Sequence, residues 1–114
     1  MFGHDFFENP QNVETAVKAA LNYPFAQTAN AMAHQVEAFR VLRPAAKPQD
    51  ITRPTFVAYA GQDILVPPAQ AKPSFQGIAN LTEHTFPDAG HSIVWDAPEA
   101  LSQRYLAFIE SVSA

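Results

Sequence analysis

Thr55-Phe56-Val57-Ala58-Tyr59-Ala60 runs directly into Gly61-Gln62-Asp63-Ile64-Leu65-Val66-Pro67, and further along the chain the design recurs as Thr82-Glu83-His84-Thr85-Phe86 running into Pro87-Asp88-Ala89-Gly90-His91. The first run is β-prone, bounded by Pro54 and Gly61, and has no alternation of charged residues. That pattern predicts a strand covered on both faces, as in a parallel sheet. The second predicts another strand over about 82 to 86. Between them, residues 68 to 78 read as a weak helix, because Pro73 removes an internal hydrogen bond and Gly77 loosens its end. A well-marked helix follows. Asp96 is expected to cap it, Pro98 sits in its first turn, and Glu99 stands three residues after the cap, the arrangement of a capping box. Leu101, Tyr105, Phe108 and Val112 form its apolar face. The order strand, helix, strand, helix is that of an open α/β sheet with helices on its faces. Two strands are too few to close such a core.

Working outward toward the amino terminus, the period changes at Pro54. Residues 43 to 54 hold Pro44, Pro48 and Pro54 and read as a fixed connector. Upstream, Val13, Val17, Ala20 and Leu21 recur at helical spacing and predict a helix over 11 to 22, ended before Pro24. Thr28 is expected to cap a second helix from about 29 to 42. Its stripe of Met32, Val36 and Phe39 reads as buried helix packing, with a ligand wall as the alternative. The two helices predict a hairpin-like unit.

Composition narrows the function classes. The chain has 114 residues, enough for one small domain. Its formal charge is -4, and its seven Lys and Arg are scattered, which argues against a nucleic-acid footprint. With no cysteine, disulfides, thiolate chemistry and Cys-based zinc sites are excluded. His4, His34, His84 and His91 are too far apart for a two-histidine metal motif, so no metal and no cofactor is expected. No apolar run is long enough to cross a membrane. Residues 1 to 5 lack the basic and apolar regions of a secretory signal, so the expected location is cytoplasmic.

Chemistry in a parallel sheet sits in the loops beyond the carboxyl ends of its strands. Here those loops carry Asp63 and His91. A glycine near each is expected to permit a tight turn. Neighbouring strands lie about 5 Å apart, so the two side chains can reach each other. A carboxylate beside an imidazole fixes its tautomer and stabilises its cation, while the other ring nitrogen takes a proton from a nucleophile. Taken alone, Gly-x-Asp and Gly-His are weak signals; each is often only a turn or a surface residue.

The wider pattern resembles the α/β-hydrolase fold. It is carried by Pro54-Thr55, Gly61-x-Asp63-x-x-Val66-Pro67, Phe86-Pro87-x-Ala89-Gly90-His91, Pro98-Glu99 and Phe108-Ile109. The 28-residue interval from Asp63 to His91 suits the family's last helix–strand crossing. The resemblance implies the last two parallel strands and flanking helices of the hydrolase core over 46–114, preceded over 1–45 by the end of a helical lid. It implies Asp63 and His91 as catalytic acid and base. The family runs nucleophile, acid, histidine, yet no Gly-x-Ser-x-Gly occurs here, and the oxyanion-hole loop is also missing.

The expectation is therefore a fragment of a serine hydrolase acting on ester, lactone or related bonds, inactive alone. The alternative is a non-enzymatic truncated or partner-binding protein. Phe25, Met32, Phe39, Val66, Ile93 and Trp95 are candidates to line a pocket for a small apolar ester-like substrate, with core packing as the competing role for each. Association with an amino-terminal half, or self-association through the unpaired sheet edge, is the expected partnership. Asp88 reads as a turn residue and His84 as structural. Pro73 within the crossing helix and His84 in the last strand depart from the family pattern.

Overall fold

The computed structural model describes residues 2–113. Its elements, in chain order, are α1 (His4–Glu8), α2 (Pro10–Leu21), α3 (Ala29–Val41), β1 (Thr55–Ala60), α4 (Pro68–Ala71), β2 (Leu81–Phe86), α5 (Ile93–Asp96) and α6 (Pro98–Ser113). Single 3-10 turns lie at Pro48–Asp50 and Lys72–Ser74. β1 and β2 pair in parallel, with Thr55 opposite Leu81 and Ala60 opposite Phe86. The connection between them is therefore a crossover, as the change of period at Pro54 predicts.

Register sorts the side chains into two faces. Phe56, Ala58 and Ala60 share one face with Thr82, His84 and Phe86. α6 covers this face. Phe108 stacks on Phe56 with ring centroids 5.6 Å apart, and Leu101, Ala97 and Ile93 close over Ala60, Phe86 and Ala89. Tyr59 lies on the other face, where Phe75 meets it edge-on at 6.2 Å and the Lys72 ammonium sits 5.2 Å above its ring. Helical chain thus lies on both faces of the pair. His84, the polar residue of β2, packs edge-on against Phe86 at 4.6 Å, which gives its ring an apolar seat.

Several local expectations are corrected. The crossing helix does not run from 68 to 78: the α-helical part ends at Ala71, a 3-10 turn spans Lys72–Ser74, and Phe75 caps that turn by donating its N–H to the Lys72 carbonyl. Pro73 cannot donate the hydrogen bond that would continue the helix. Asp96 does not cap α6; it is the last residue of α5, and its carboxylate is spent elsewhere. Only part of the predicted α6 face is used, since Tyr105 and Val112 remain about half exposed. The glycines do not serve positive-φ turns, because among the described residues none has one. Gly61 is needed for close approach: a Cβ there would lie 2.4 Å from the Pro87 carbonyl oxygen.

The amino-terminal helices depart furthest from expectation. Asn9 caps α2 by accepting from Gln11 N–H at 3.0 Å, and Thr28 caps α3 by accepting from Ala31 N–H at 3.1 Å. Neither α2 nor α3 contains a buried residue. The stripe expected to be buried is open, with Met32 49%, Val36 52% and Phe39 66% exposed. The radius of gyration is 16.8 Å, against about 13 Å for a compact domain of 100 residues. Apolar periodicity made these helices, but nothing here covers their stripes.

Stability should accordingly reside in the sheet and α6. Phe86→Ala, at a position 6% exposed, is expected to cost about 3 kcal/mol in urea unfolding. Val36→Ser should stay within about 0.5 kcal/mol of the unsubstituted chain. Equal losses would contradict this division.

Candidate active site

The strand pairing continues past both strands into the loops. Gly61 N–H donates to the Phe86 carbonyl at 2.7 Å, and Gln62 N–H donates to the Ala89 carbonyl at 2.9 Å. These bonds lay the loop after β1 along the loop after β2. Asp63 is the next residue on the first loop, and His91 lies two beyond Ala89 on the second. His91 Nδ1 and Asp63 Oδ2 are 2.9 Å apart.

The Asp63 carboxylate is held at both oxygens. Oδ1 accepts from Leu65 N–H and Val66 N–H, each at 2.9 Å, in a turn closed by its own loop. Oδ2 is left to face the imidazole. Burial raises the pKa of this carboxyl, but the Val66 amide, the His91 ring and the Leu65 amide together outweigh it. The net value lies below the usual aspartate range. An ionised Asp63 only accepts, so Nδ1 carries the ring hydrogen and donates it. In the neutral ring Nε2 then holds the free lone pair. The Asp63 side chain is 10% exposed and that of His91 is 44% exposed. The carboxylate is shielded while the imidazole opens outward.

Outward from the pair lies a hollow of about 280 Å³. Val66, Ile93 and Phe75 line it together with Asp63, His91 and one side of β1. Of the six candidate pocket residues, Val66 and Ile93 are therefore gathered with the pair. Phe25, Met32 and Phe39 are not; they lie on the amino-terminal helices or the turn before α3, with Phe25 79% exposed. Trp95 faces a different hollow of about 460 Å³ beside Phe6 and Asp96, and its ring meets Phe2 edge-on at 6.4 Å. That larger hollow contains neither Asp63 nor His91, so the smaller one is the one with chemistry. No group of acidic or histidine side chains able to hold a metal exists among the described residues.

Sequence reasoning missed two groups that touch these loops. The Gln62 side chain accepts from His4 N–H at 2.8 Å, and Asp96 Oδ2 accepts from both Gly3 N–H and Gly90 N–H at 2.7 Å. The only available sign was the position of each polar residue within a few places of Asp63 or His91; Asp96 also fits a cap, and the cap reading prevailed. Tyr59 was likewise read only as part of a strand. Its hydroxyl donates to Glu83 at 2.6 Å, and burial, with that acceptor and its charge, pushes the phenol pKa up to about 12.

Comparisons with known proteins agree with this architecture. No curated protein matches the chain. Among solved structures, a protein described as a non-heme bromoperoxidase, BpoC, of Mycobacterium tuberculosis superposes with a TM-score of 0.78 at 24% identity, over 99% of this chain and 42% of that one. A thermophilic esterase of Thermogutta terrifontis gives 0.74 at 23% identity, over 100% and 41%. A serine hydrolase involved in carbazole degradation, CarC, gives 0.55 at 18%, over 90% and 35%. The chain thus spans about two-fifths of the length of the first two structures, and at these identities the likeness is one of fold. The family model for the alpha/beta hydrolase fold matches residues 5–98, taking in both strands and both loops. With the parallel pair, its covering helices and that match in agreement, the chain belongs to the α/β-hydrolase fold family.

Proposed function

We propose that this chain supplies the acid and the histidine of a serine-hydrolase triad whose nucleophile lies in a part of the fold that these 114 residues do not contain. The observation that carries the reading is the 2.9 Å approach of His91 Nδ1 to an Asp63 carboxylate already fixed by two loop amides. Asp63 selects the Nδ1–H tautomer. Nε2 takes the proton of a serine hydroxyl as it attacks an ester, lactone or related carbonyl, and later returns that proton to the leaving group. Asp63 stabilises the imidazolium between those steps. The chain has five serines and no Gly-x-Ser-x-Gly, so no serine follows a strand in the elbow that the reaction uses.

The hollow beside the pair runs along β1, on which only one side is paired among the described residues. A neighbouring strand on that open edge would bring further loops to His91. The same open edge and the bare stripes of α2 and α3 favour a second reading, in which the chain works by binding another polypeptide. The substrate under the first reading is small and apolar, because Val66, Ile93, Phe75 and Ala71 stand in the wall beside the pair.

Asp63 has a folded pKa below its ordinary value, so the stability it contributes is present above the ordinary aspartate range, near 3.9, and is lost as pH falls through the lowered value. The stability difference between the chain and Asp63→Asn should shrink as pH falls below about 4, where the Asp63 carboxylate is protonated, as read by urea unfolding at each pH. A difference that persists undiminished well below that range would contradict the lowered Asp63 pKa.

Burst kinetics with p-nitrophenyl acetate test the division of labour. The chain alone should give no stoichiometric acyl-enzyme burst, and a rate no greater than that of an unstructured histidine peptide. Joined in frame to the amino-terminal portion of an esterase of the same fold, it should give a burst. His91→Ala in that fusion should lower kcat by on the order of 10⁴–10⁶. A burst from the chain alone would overturn the proposal, and a chimaera that folds but is indifferent to His91→Ala would favour the binding reading.

A further inference from the structure

We propose that Asp96 is a positioning residue, which clasps the amino-terminal segment Phe2–His4 onto the histidine loop and so keeps His91 facing Asp63. The inference rests on the triad reading and adds to it the group that holds the histidine side of the pair. Asp63 is fixed by amides of its own loop, and Asp96 reaches the loop of His91 at the Gly90 amide.

One carboxylate oxygen does this work from a distance. Asp96 Oδ2 accepts from Gly90 N–H, the amide immediately before His91, and from Gly3 N–H, both at 2.7 Å. Hydrogen bonds to an ionised acceptor at that length are among the stronger ones in proteins. Gly3 and Gly90 press directly on each other's backbones. A Cβ on Gly90 would lie 2.4 Å from the Phe2 carbonyl carbon, and one on Gly3 would lie 2.3 Å from the Asp88 carbonyl oxygen. No side chain fits between the two segments, so the carboxylate can reach both amides at once.

The same segment is tied to the acid loop. His4 N–H donates to Gln62 Oε1 at 2.8 Å, and Gln62 N–H donates to the Ala89 carbonyl at 2.9 Å. Residues 3 and 4 therefore join the loop of Asp63 to the loop of His91 through two consecutive amides. Phe2 anchors this clasp from the side, stacked on Phe6 at 3.7 Å and edge-on to Trp95 at 6.4 Å. The other oxygen of Asp96, Oδ1, is buried without a hydrogen-bond partner among the described residues. A carboxylate that tolerates one unmet oxygen in order to satisfy two amides through the other is placed for geometry rather than for solubility.

The tautomer of His91 reports the clasp. Long-range ¹H–¹⁵N correlation spectra of the neutral imidazole distinguish Nδ1–H from Nε2–H, and His91→Ala assigns the signal. In the unsubstituted chain the Nδ1–H form should dominate. Asp96→Ala should return His91 to the Nε2–H form that a free imidazole prefers, while α6 amide signals persist. Asp96→Asn, whose carbonyl oxygen can still accept both amides, should restore Nδ1–H. A purely structural role would lower stability and leave the tautomer of the folded protein unchanged. An Nδ1–H majority in Asp96→Ala equal to that of the unsubstituted chain therefore overturns the inference and leaves the triad reading intact. An Nε2–H majority in the unsubstituted chain sinks the triad reading instead. Should Asp96→Ala fail to fold, Gln62→Ala decides: a reduced Nδ1–H fraction supports the clasp, and an unchanged one overturns it.

Discussion

Two backbone hydrogen bonds beyond the ends of the strands, from Gly61 N–H to the Phe86 carbonyl and from Gln62 N–H to the Ala89 carbonyl, determine where the polar groups of this chain meet. A parallel pair whose hydrogen bonding stopped at Ala60 and Phe86 would leave two loops free to diverge. Carrying the register two residues further forces the loops to run side by side. It also explains why Gly61 must lack a side chain, since the two backbones touch there. The meeting of Asp63 and His91 is thus a consequence of main-chain pairing, with the side chains adding orientation. Asp63 is oriented by the amides of Leu65 and Val66, so one oxygen is committed before His91 arrives.

The structure divides into a packed portion and an open one. β1, β2 and α6 share Phe56, Ala60, Phe86, Ala89, Leu101 and Phe108, and the elements that carry the site belong to this portion. α2 and α3 are well-formed helices with capped starts and no buried residues. Their capping is a local property, satisfied by Asn9 and Thr28 wherever the helices point. Their apolar stripes are a statement about a partner surface, and none is provided by the described residues.

That division also marks what was legible in the sequence. Strand bounds, the parallel crossover, the approach of Asp63 to His91 and the Thr28 cap rest on local signals: β-prone runs between Pro and Gly, a glycine beside each polar group, a hydroxyl before a helix. Each was readable. The burial of Met32, Val36 and Phe39 depended on what lies opposite, which periodicity does not contain. The role of Asp96 was hidden for a related reason. An acidic residue two places before Pro98 satisfies the rule for a cap, and nothing local reveals that its acceptors are needed by Gly3, 93 residues away. Gly61 and Gly90 were read as permitting tight turns, whereas they accommodate neighbouring backbone and have no positive φ.

The bond from Gly3 to Asp96 reaches across most of the chain. It closes a loop of 93 residues, and the entropic cost of bringing such distant ends together is about 4 kcal/mol. The Asp63–His91 approach closes only 28. On loop entropy alone the longer closure costs about 1 kcal/mol more than the shorter. The two sides of the site therefore differ in how far along the chain they reach for support: Asp63 draws on its immediate neighbours, whereas the loop of His91 shares an acceptor with a residue at the other end of the segment.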